Sequence, residues 1–270
     1  RGGIAACYAF LRQSDLPERP LSDWRSLAAL TVAFAFLWLP VGQHDFLVEH
    51  WMKVGTFMAP FLLLVGLSFS DKPTQLDART VSLLLLVVYI LHQFEEHWID
   101  LYGRTYAFKP NLNEFLSSLL GRTTVQEFMS DRSVFMINTS LVWLVGALAI
   151  WRGPQHVFAT LCMASIVVVN AISHIGAALI SGGYNPGLLT SVVLFLPTGI
   201  GAYVWLGRTS KPSRRIVLAS LAWGLIAHVL MISGVLALNQ FSQIPESAYF
   251  AVLIVWSLLP AFMLPNEHVD

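Results

Sequence analysis

Long apolar runs alternate with short polar connections along most of the chain. A helix that crosses a membrane needs roughly 20 mostly apolar residues, and about eight runs of this kind can be drawn. They are residues 25–43, 50–69, 79–98, 133–151, 156–181, 187–207, 215–238 and 247–265. The pattern predicts an all-α fold, a polytopic transmembrane helical bundle with about eight spans, or seven if one run does not cross.

The remaining segments suggest a simple domain organisation. Residues 1–24 are predicted to be a polar or interfacial lead-in, and residues 25–265 a single transmembrane helical domain. The long connection at 99–132 contains apolar residues at spacings of three and four between 112 and 120, which indicates a short helix lying on the membrane surface. Connections of this length often act as lids, so we expect an extracytoplasmic loop or lid.

The composition agrees with a membrane protein. Hydrophobic residues make up 56% of the chain and charged residues 12%, whereas a soluble domain is about 25% charged. The formal net charge is zero, which argues against a nucleic-acid partner. Membrane lipids and a hydrophobic small-molecule substrate are the expected partners, and a membrane-protein partner stays possible.

Basic residues predict the orientation. Lys and Arg are enriched in cytoplasmic segments, and with eight spans most of them fall on the side that holds both ends of the chain. We therefore expect an integral membrane protein with both termini cytoplasmic.

Two carboxylates and two imidazoles crowd the end of the third apolar run, in the sequence His92-Gln93-Phe94-Glu95-Glu96-His97. Charged groups at membrane depth are expensive and usually face a protein interior or a wet cavity. His92 precedes Glu95 by three residues and Glu96 by four, so these three side chains share one helix face. His97 is expected to point elsewhere.

The predicted topology brings further polar residues to the same depth. The fifth run carries Asn170 and His174, which share a face, and the seventh carries His228. The third, fifth and seventh runs all head outward. The turn that follows the fifth run contains Tyr184, a possible hydrogen-bond donor to the same site.

Imidazole and carboxylate together are the ligand set of zinc and non-haem iron. The predicted metal ligands are His92, Glu95, Glu96, His174 and His228. A carboxylate that does not bind the metal can act as a general base. The predicted catalytic residues are Glu95, Glu96, Asn170 and Tyr184. The expected cofactor is one divalent metal ion, zinc or iron.

These residues also have purely structural interpretations. The crowded segment could be a helix end that meets interfacial water. His174 could only hydrogen-bond a neighbouring helix, and His228 could be an ordinary core histidine.

Three ordered motifs carry a family resemblance. His92-x-x-Glu95-Glu96, then Asn170-x-x-x-His174, then Tyr184-Asn185-Pro186-Gly187 resembles the HXXEE-domain family of bacterial membrane proteins, over roughly residues 80–235. The resemblance implies a bacterial inner-membrane protein and supplies no substrate. It points to a functional set of His92, Glu95, Glu96, Asn170, His174 and His228.

Three functions fit this pattern. The leading hypothesis is a membrane-embedded metal-dependent enzyme, a hydrolase or oxidoreductase, acting on a lipid or other hydrophobic substrate near the outer leaflet. The second is a metal-free intramembrane hydrolase, in which Glu95 or Glu96 activates water and Asn170 and His174 stabilise an oxyanion. The third is a non-catalytic membrane subunit, binding protein or transporter.

Overall fold

The computed structural model describes residues 45–68, 76–240 and 244–264. Every regular secondary-structure element in these residues is a helix. Eight are present in this part of the chain. They are α1 (Asp45–Ser68), α2 (Ala78–His97), α3 (Phe108–Leu119), α4 (Asp131–Gln155), α5 (Val157–Ser181), α6 (Leu188–Thr209), α7 (Arg214–Gln240) and α8 (Glu246–Leu258). The predicted all-α fold class is confirmed.

Five helices of the described part, α2 and α4 to α7, are long and apolar enough to cross a membrane. The apolar helix at Glu246–Ala261 is shorter, and the predicted span at 25–43 lies outside the described residues. The five helices fit an integral membrane protein, while the total of about eight spans stays a prediction.

Local signals explain where the two central helices begin and end. Asp77 caps α2 by accepting a hydrogen bond from the backbone N–H of Thr80 at 2.7 Å, a common arrangement at helix starts. Helix α5 ends at Gly182, which has a φ of 69° and whose N–H reaches the carbonyl of Ala178. Because this left-handed conformation suits glycine, the chain turns sharply there and returns as α6.

Helices α2 and α5 form the centre of the bundle. Helix α2 packs against α1, α4 and α5, and α5 also packs against α6 and α7. The first half of α5, residues 157–167, is buried. The polar end of α2 is thereby enclosed by neighbouring helices.

The predicted short helix in the 99–132 connection is present as α3. It is amphipathic, with Asn113, Leu116 and Ser117 buried. The Asn113 side chain accepts a hydrogen bond from the N–H of Phe128, and the Ser117 hydroxyl accepts one from the N–H of Gln126. These hydrogen bonds attach the last part of the connection, residues 126–128, to α3.

Helices α4 and α6 each contain a π-helical stretch, Thr139–Leu144 and Ser191–Phe195. Such stretches occur frequently at functional sites. The residues immediately before them, Asn138 and Thr190, both hydrogen-bond side chains in the last turns of α2.

Candidate metal site

Glu96 lies among three histidine rings. One carboxylate oxygen, Oε2, is 3.4 Å from Nε2 of His92 and 3.0 Å from Nε2 of His97, and the other, Oε1, is 3.3 Å from Nε2 of His174. All four side chains are buried. Because an isolated buried carboxylate is unfavourable, this arrangement requires protons or a cation between Glu96 and the rings.

The hydrogen position on His174 follows from its contact with Asn185. The Asn185 amide nitrogen donates to the carbonyl oxygen of His174 at 2.9 Å, so the amide oxygen is the atom that faces Nδ1 of His174 at 2.6 Å. An amide oxygen only accepts, so Nδ1 carries the hydrogen. In a neutral ring this leaves a lone pair on Nε2, which faces Glu96.

His92 is oriented in the same way by Thr190. The Thr190 hydroxyl donates to Oε2 of Glu95 at 2.5 Å and lies 2.8 Å from Nδ1 of His92. Since its single hydrogen goes to Glu95, this hydroxyl accepts from His92. The Nε2 of His92 is therefore also left with a lone pair, and it is buried and makes no hydrogen bond.

Glu95 is saturated by donors from the start of α6. Its oxygens accept hydrogen bonds from the backbone N–H groups of Leu189 and Thr190, at 3.1 and 2.7 Å, and from the Thr190 hydroxyl. The fourth donor is the Tyr184 hydroxyl at 2.9 Å. A carboxylate at a helix N-terminus is electrostatically favourable, so Glu95 fastens α6 to α2.

Tyr184 acts as a donor in this network. Its oxygen accepts from the N–H of Leu101 at 3.0 Å while its hydrogen goes to Glu95. Burial, and then the neighbouring Glu95 carboxylate, raise the pKa of Tyr184 above its ordinary value. The phenol therefore keeps its proton and its donor role at neutral pH.

Gly187 lies in close contact with the imidazole rings of both His92 and His174. A Cβ atom placed there would lie 2.7 Å from Cε1 of His92 and 2.8 Å from Cε1 of His174. The residue also has a φ of 93°, a conformation that favours glycine. Both the ring positions and the backbone shape therefore require glycine.

His92, Glu96 and His174 have the geometry of a metal site. In the described part of the chain they are the one group of three or more His, Cys, Asp or Glu residues whose ligand atoms all lie within 4.8 Å of one another. Ligand atoms about 2.0–2.2 Å from a tetrahedral ion are roughly 3.5 Å apart, close to the observed 3.3 and 3.4 Å. Two nitrogen lone pairs facing a carboxylate fit a divalent cation.

His97 is held by a separate chain of hydrogen bonds. The indole N–H of Trp143 donates to Oε1 of Gln93 at 3.0 Å, and Nε2 of Gln93 donates to Oδ1 of Asn138 at 2.9 Å. The amide nitrogen of Asn138 then faces Nε2 of His97 at 3.2 Å. Since indole nitrogen only donates, the chain has one direction and presents an N–H to His97.

The expectation that His97 points away from the cluster was wrong. Its position on the helix does differ from that of His92, but the Glu96 side chain extends between them and meets both rings. The imidazole of His97 is fixed between the rings of Trp51 and Phe108, with centroids 5.1 and 4.6 Å away. Helix spacing alone therefore misjudged this side chain.

Comparison with known proteins identifies the region that contains these residues. Residues 83–204 match a family model described as a protein of unknown function with HXXEE motif. The chain carries an HXXEE domain. The resemblance to the HXXEE domain proposed from the three motifs is confirmed, over a shorter range than the 80–235 expected, while the bacterial origin stays a prediction. No curated protein and no solved structure matches the chain.

The HXXEE domain contains the polar residues of the cluster, from His92 to Thr190, whereas His228 on α7 lies outside the matched range. Nδ1 of His228 donates to the carbonyl of Gly224 at 2.8 Å, and His228 does not belong to the three-residue group.

Asn170 donates to the Tyr89 hydroxyl at 2.6 Å, and its own buried Oδ1 makes no hydrogen bond.

Some residues of the HXXEE domain were not predicted to contribute. Asn185 lies within the Tyr-Asn-Pro-Gly motif, and this position could have identified it as a residue of the site. Thr190 follows Gly187 by three residues at the start of a helix, which is weaker evidence for a role in the site. Nothing local in the sequence indicates that Gln93 and Asn138 would bond to each other.

A cavity of about 970 Å³ adjoins the cluster. It is bounded by α2, α3, α4, α5 and α7. Glu96, His97 and His174 form part of its wall, and so do Asn170 and His228. The cluster of the HXXEE domain is thus accessible from a large internal space.

Proposed function

We propose that this protein is a membrane-embedded, metal-dependent enzyme that acts on a lipid or other hydrophobic substrate. One observation carries the proposal. His92 and His174 each have the hydrogen on Nδ1, so each offers an Nε2 lone pair to the Glu96 carboxylate, at 3.4 and 3.3 Å. A divalent metal held by these three residues satisfies the two Nε2 lone pairs of His92 and His174 and the Glu96 carboxylate at once.

The surrounding hydrogen bonds support a metal site over a simple polar cluster. Metal-binding histidines usually donate their other ring N–H to an oxygen that fixes the ring. Here the Thr190 hydroxyl accepts the hydrogen bond from His92, and the Asn185 amide oxygen accepts the one from His174. Two histidines and one carboxylate are found around catalytic zinc and around non-haem iron.

Three protein ligands leave a coordination position for water or substrate, as in catalytic rather than structural sites. A bound zinc or iron ion would supply Lewis acidity and lower the pKa of a coordinated water. The chain's own residues hold and orient the site, since Glu95 fixes the start of α6 and Gly187 lets both rings approach. His97 is the nearest base outside the ligand set and can take up a proton beside Glu96.

The location of the site supports action on a hydrophobic substrate. The cluster lies where α2 ends and α6 begins, with α3 and the 99–132 connection on the same side. We place this side near the outer leaflet of a bacterial inner membrane, with both termini cytoplasmic, because the other side holds most of the basic residues.

The metal-free alternative has weaker support. It needs Asn170 as a donor to an oxyanion, but one of the two N–H groups of the Asn170 amide already donates to Tyr89. The atom of Asn170 left without a hydrogen bond is Oδ1, which is an acceptor and repels an oxyanion.

Metal analysis of the purified, detergent-solubilised protein tests the proposal. We expect one equivalent of zinc or iron per chain, and loss of that metal in the double variant His92→Ala/His174→Ala. His50→Ala, on α1 and outside the group, should keep the metal. Absence of stoichiometric metal from the wild-type protein, or full occupancy in the double variant, would reject a metal enzyme.

A further inference from the structure

We propose that Arg79, Arg152 and His156 form a basic site that binds a phosphate group, at the end of the bundle opposite the metal site. Helix α2 carries Arg79 in its first turn and Glu96 in its last. Because α2 has 20 residues and a helix rises about 1.5 Å per residue, its two ends are roughly 25 Å apart. His156 directly precedes α5, which carries His174 in its second half. The basic site is therefore separate from the metal.

The three side chains belong to one region, the turn that joins α4 to α5. The Nε–H of Arg79 donates to the carbonyl of Ile150 at 3.1 Å. A Cβ atom placed on Gly153 would lie 3.1 Å from both Nε and Nη2 of Arg79, so this guanidinium group packs on the residue that follows Arg152. The backbone N–H of His156 donates to the carbonyl of Gly153 at 3.1 Å, which holds the imidazole at the same turn.

Buried nitrogen atoms of the basic site make no hydrogen bond with the described residues. They are Nε of Arg152 and both ring nitrogens of His156, whose side chain is 0% exposed. Burial, and then the positive charge of Arg152, lower the pKa of His156 below its ordinary value. The ring is therefore neutral at pH 7 and keeps one N–H to donate. Since a buried donor without an acceptor is unfavourable, these atoms point to a missing acceptor.

The positive charge of the basic site has no anionic partner among the described residues. The ion pairs found there involve Arg104, Lys109 and the histidines around the metal site, and neither guanidinium group of the basic site. The acidic residue nearest to Arg79 in the sequence is Asp77, whose carboxylate accepts from the backbone N–H of Thr80 at 2.7 Å. A bound anion would supply both the negative charge and the acceptors.

A phosphate group matches this set of donors. Guanidinium groups bind phosphate oxygens through paired N–H groups, and basic pockets between transmembrane helices bind phosphorylated lipid head groups. Cζ of Arg152 lies 5.5 Å from the ring centroid of Trp151, and tryptophan is enriched at the level of the head groups. Arg79 and Arg152 are partly exposed, so rotation of the Arg152 side chain admits a phosphate oxygen to the buried N–H groups.

Native mass spectrometry of the full-length, delipidated protein in detergent measures whether the phosphate of a lipid is bound. Dioleoyl phosphatidylglycerol carries a phosphate, whereas dioleoyl galactosylglycerol has the same acyl chains and an uncharged head group. We expect the phospholipid to bind at least roughly tenfold more tightly, the effect of one hydrogen bond to a charged group.

Paired variants test whether the basic site causes this preference. Arg79→Gln/Arg152→Gln should abolish it. Arg208→Gln/Arg215→Gln removes the same charge from exposed residues at the same end of the bundle and should retain it. Equal losses of preference in the two double variants would overturn the proposal, because a general attraction between positive charge and the lipid would then explain the binding.

His156→Phe distinguishes a binding role of the ring from a structural one. Phenylalanine keeps a buried ring but removes the unpaired nitrogens, so the lipid-free variant should be at least as stable to heat as the wild-type protein. Its affinity for phosphatidylglycerol should nevertheless fall. Unchanged affinity, or a lipid-free variant that melts well below the wild-type protein, would exclude His156 from the basic site.

Equilibrium dialysis with radiolabelled inorganic phosphate identifies the source of the phosphate group. The protein used is His92→Ala/His174→Ala, which prevents phosphate from binding to a metal and should bind phosphatidylglycerol as the wild-type protein does. Lipid preference without dialysis binding indicates a phospholipid head group. Dialysis binding that Arg79→Gln/Arg152→Gln removes, without lipid preference, indicates a soluble phosphate compound. Absence of both would overturn the proposal, whatever the metal content of the protein.

Discussion

His174 and Asn185 are joined by two hydrogen bonds that run in opposite directions. The ring donates from Nδ1 to the amide oxygen at 2.6 Å, and the amide nitrogen donates to the histidine's own carbonyl oxygen at 2.9 Å. This clamp fixes which nitrogen carries the hydrogen and holds the ring against the helix that bears it. Together the two hydrogen bonds determine where the Nε2 lone pair of His174 points.

Asn185→Leu should weaken metal binding by about 10- to 100-fold, the usual effect of losing a residue that orients a ligand. Asn185→Asp keeps an acceptor for Nδ1 and should retain more affinity than Asn185→Leu. Competition with a chromophoric chelator measures both. Identical affinity in Asn185→Leu and the wild-type protein would contradict an orienting role.

Thr190→Val should also weaken metal binding, because it leaves the buried Nδ1–H of His92 without an acceptor, at a cost of about 1–3 kcal/mol. Thr190→Ser keeps the hydroxyl and should preserve affinity. The chelator assay compares the pair. Unchanged affinity in Thr190→Val, or a loss in Thr190→Ser as large as that in Thr190→Val, would contradict an orienting role of the hydroxyl.

Gly187→Ala should abolish metal binding, since the added Cβ displaces both His92 and His174. Gly182→Ala provides the matched control, because it has a comparable left-handed φ of 69° but nothing within 4 Å of the added atom. Both substitutions should lower thermal stability by the backbone strain, about 1–2 kcal/mol. Only Gly187→Ala should lose the metal, and retention of metal there would refute the ring contact.

Lys109 makes the attachment of α3 to α4 dependent on pH. Its ammonium group lies 2.7 Å from Glu127 and 2.9 Å from Asp131. Burial lowers the pKa of Lys109, but the two carboxylates outweigh burial and raise it above the ordinary value. The stabilisation is therefore complete below about pH 10.4, the usual lysine pKa, and is lost as pH rises through the raised pKa.

Hydrogen exchange of residues 108–119 measures this attachment. Lys109→Met should increase exchange there at neutral pH, and the wild-type protein should approach the variant's exchange, after correction for intrinsic rates, only in strongly alkaline solution. A wild-type protein that loosens between pH 7 and pH 9 would show that another group controls α3.

Helix spacing and the direction of the helices were enough to expect His92, Glu96 and His174 in one place, where the structure has them. They did not distinguish the two adjacent glutamates. Glu95 and Glu96 are neighbours in sequence but face different helices, and the start of α6, which takes up Glu95, is placed by packing between distant segments. The roles of Asn185 and Thr190 depend on the same packing.

The Trp143–Gln93–Asn138 chain of hydrogen bonds could not be predicted from the sequence either. Each of its hydrogen bonds joins residues at least 45 positions apart, and its geometry depends on the π-helical stretch that follows Asn138. Amphipathic periodicity did identify α3, since the burial of one helix face leaves a repeating pattern in the sequence.

The four hydrogen bonds that Glu95 accepts join residues synthesised almost a hundred positions apart. During biogenesis α2 enters the membrane long before the first turn of α6 exists. Until that turn arrives, Glu95 lacks its donors, His92 lacks Thr190 and the two histidine rings lack Gly187 beneath them. Acquisition of the metal would then be a late maturation step, and a chain that ends before residue 190 should insert its earlier helices yet emerge as an apoprotein.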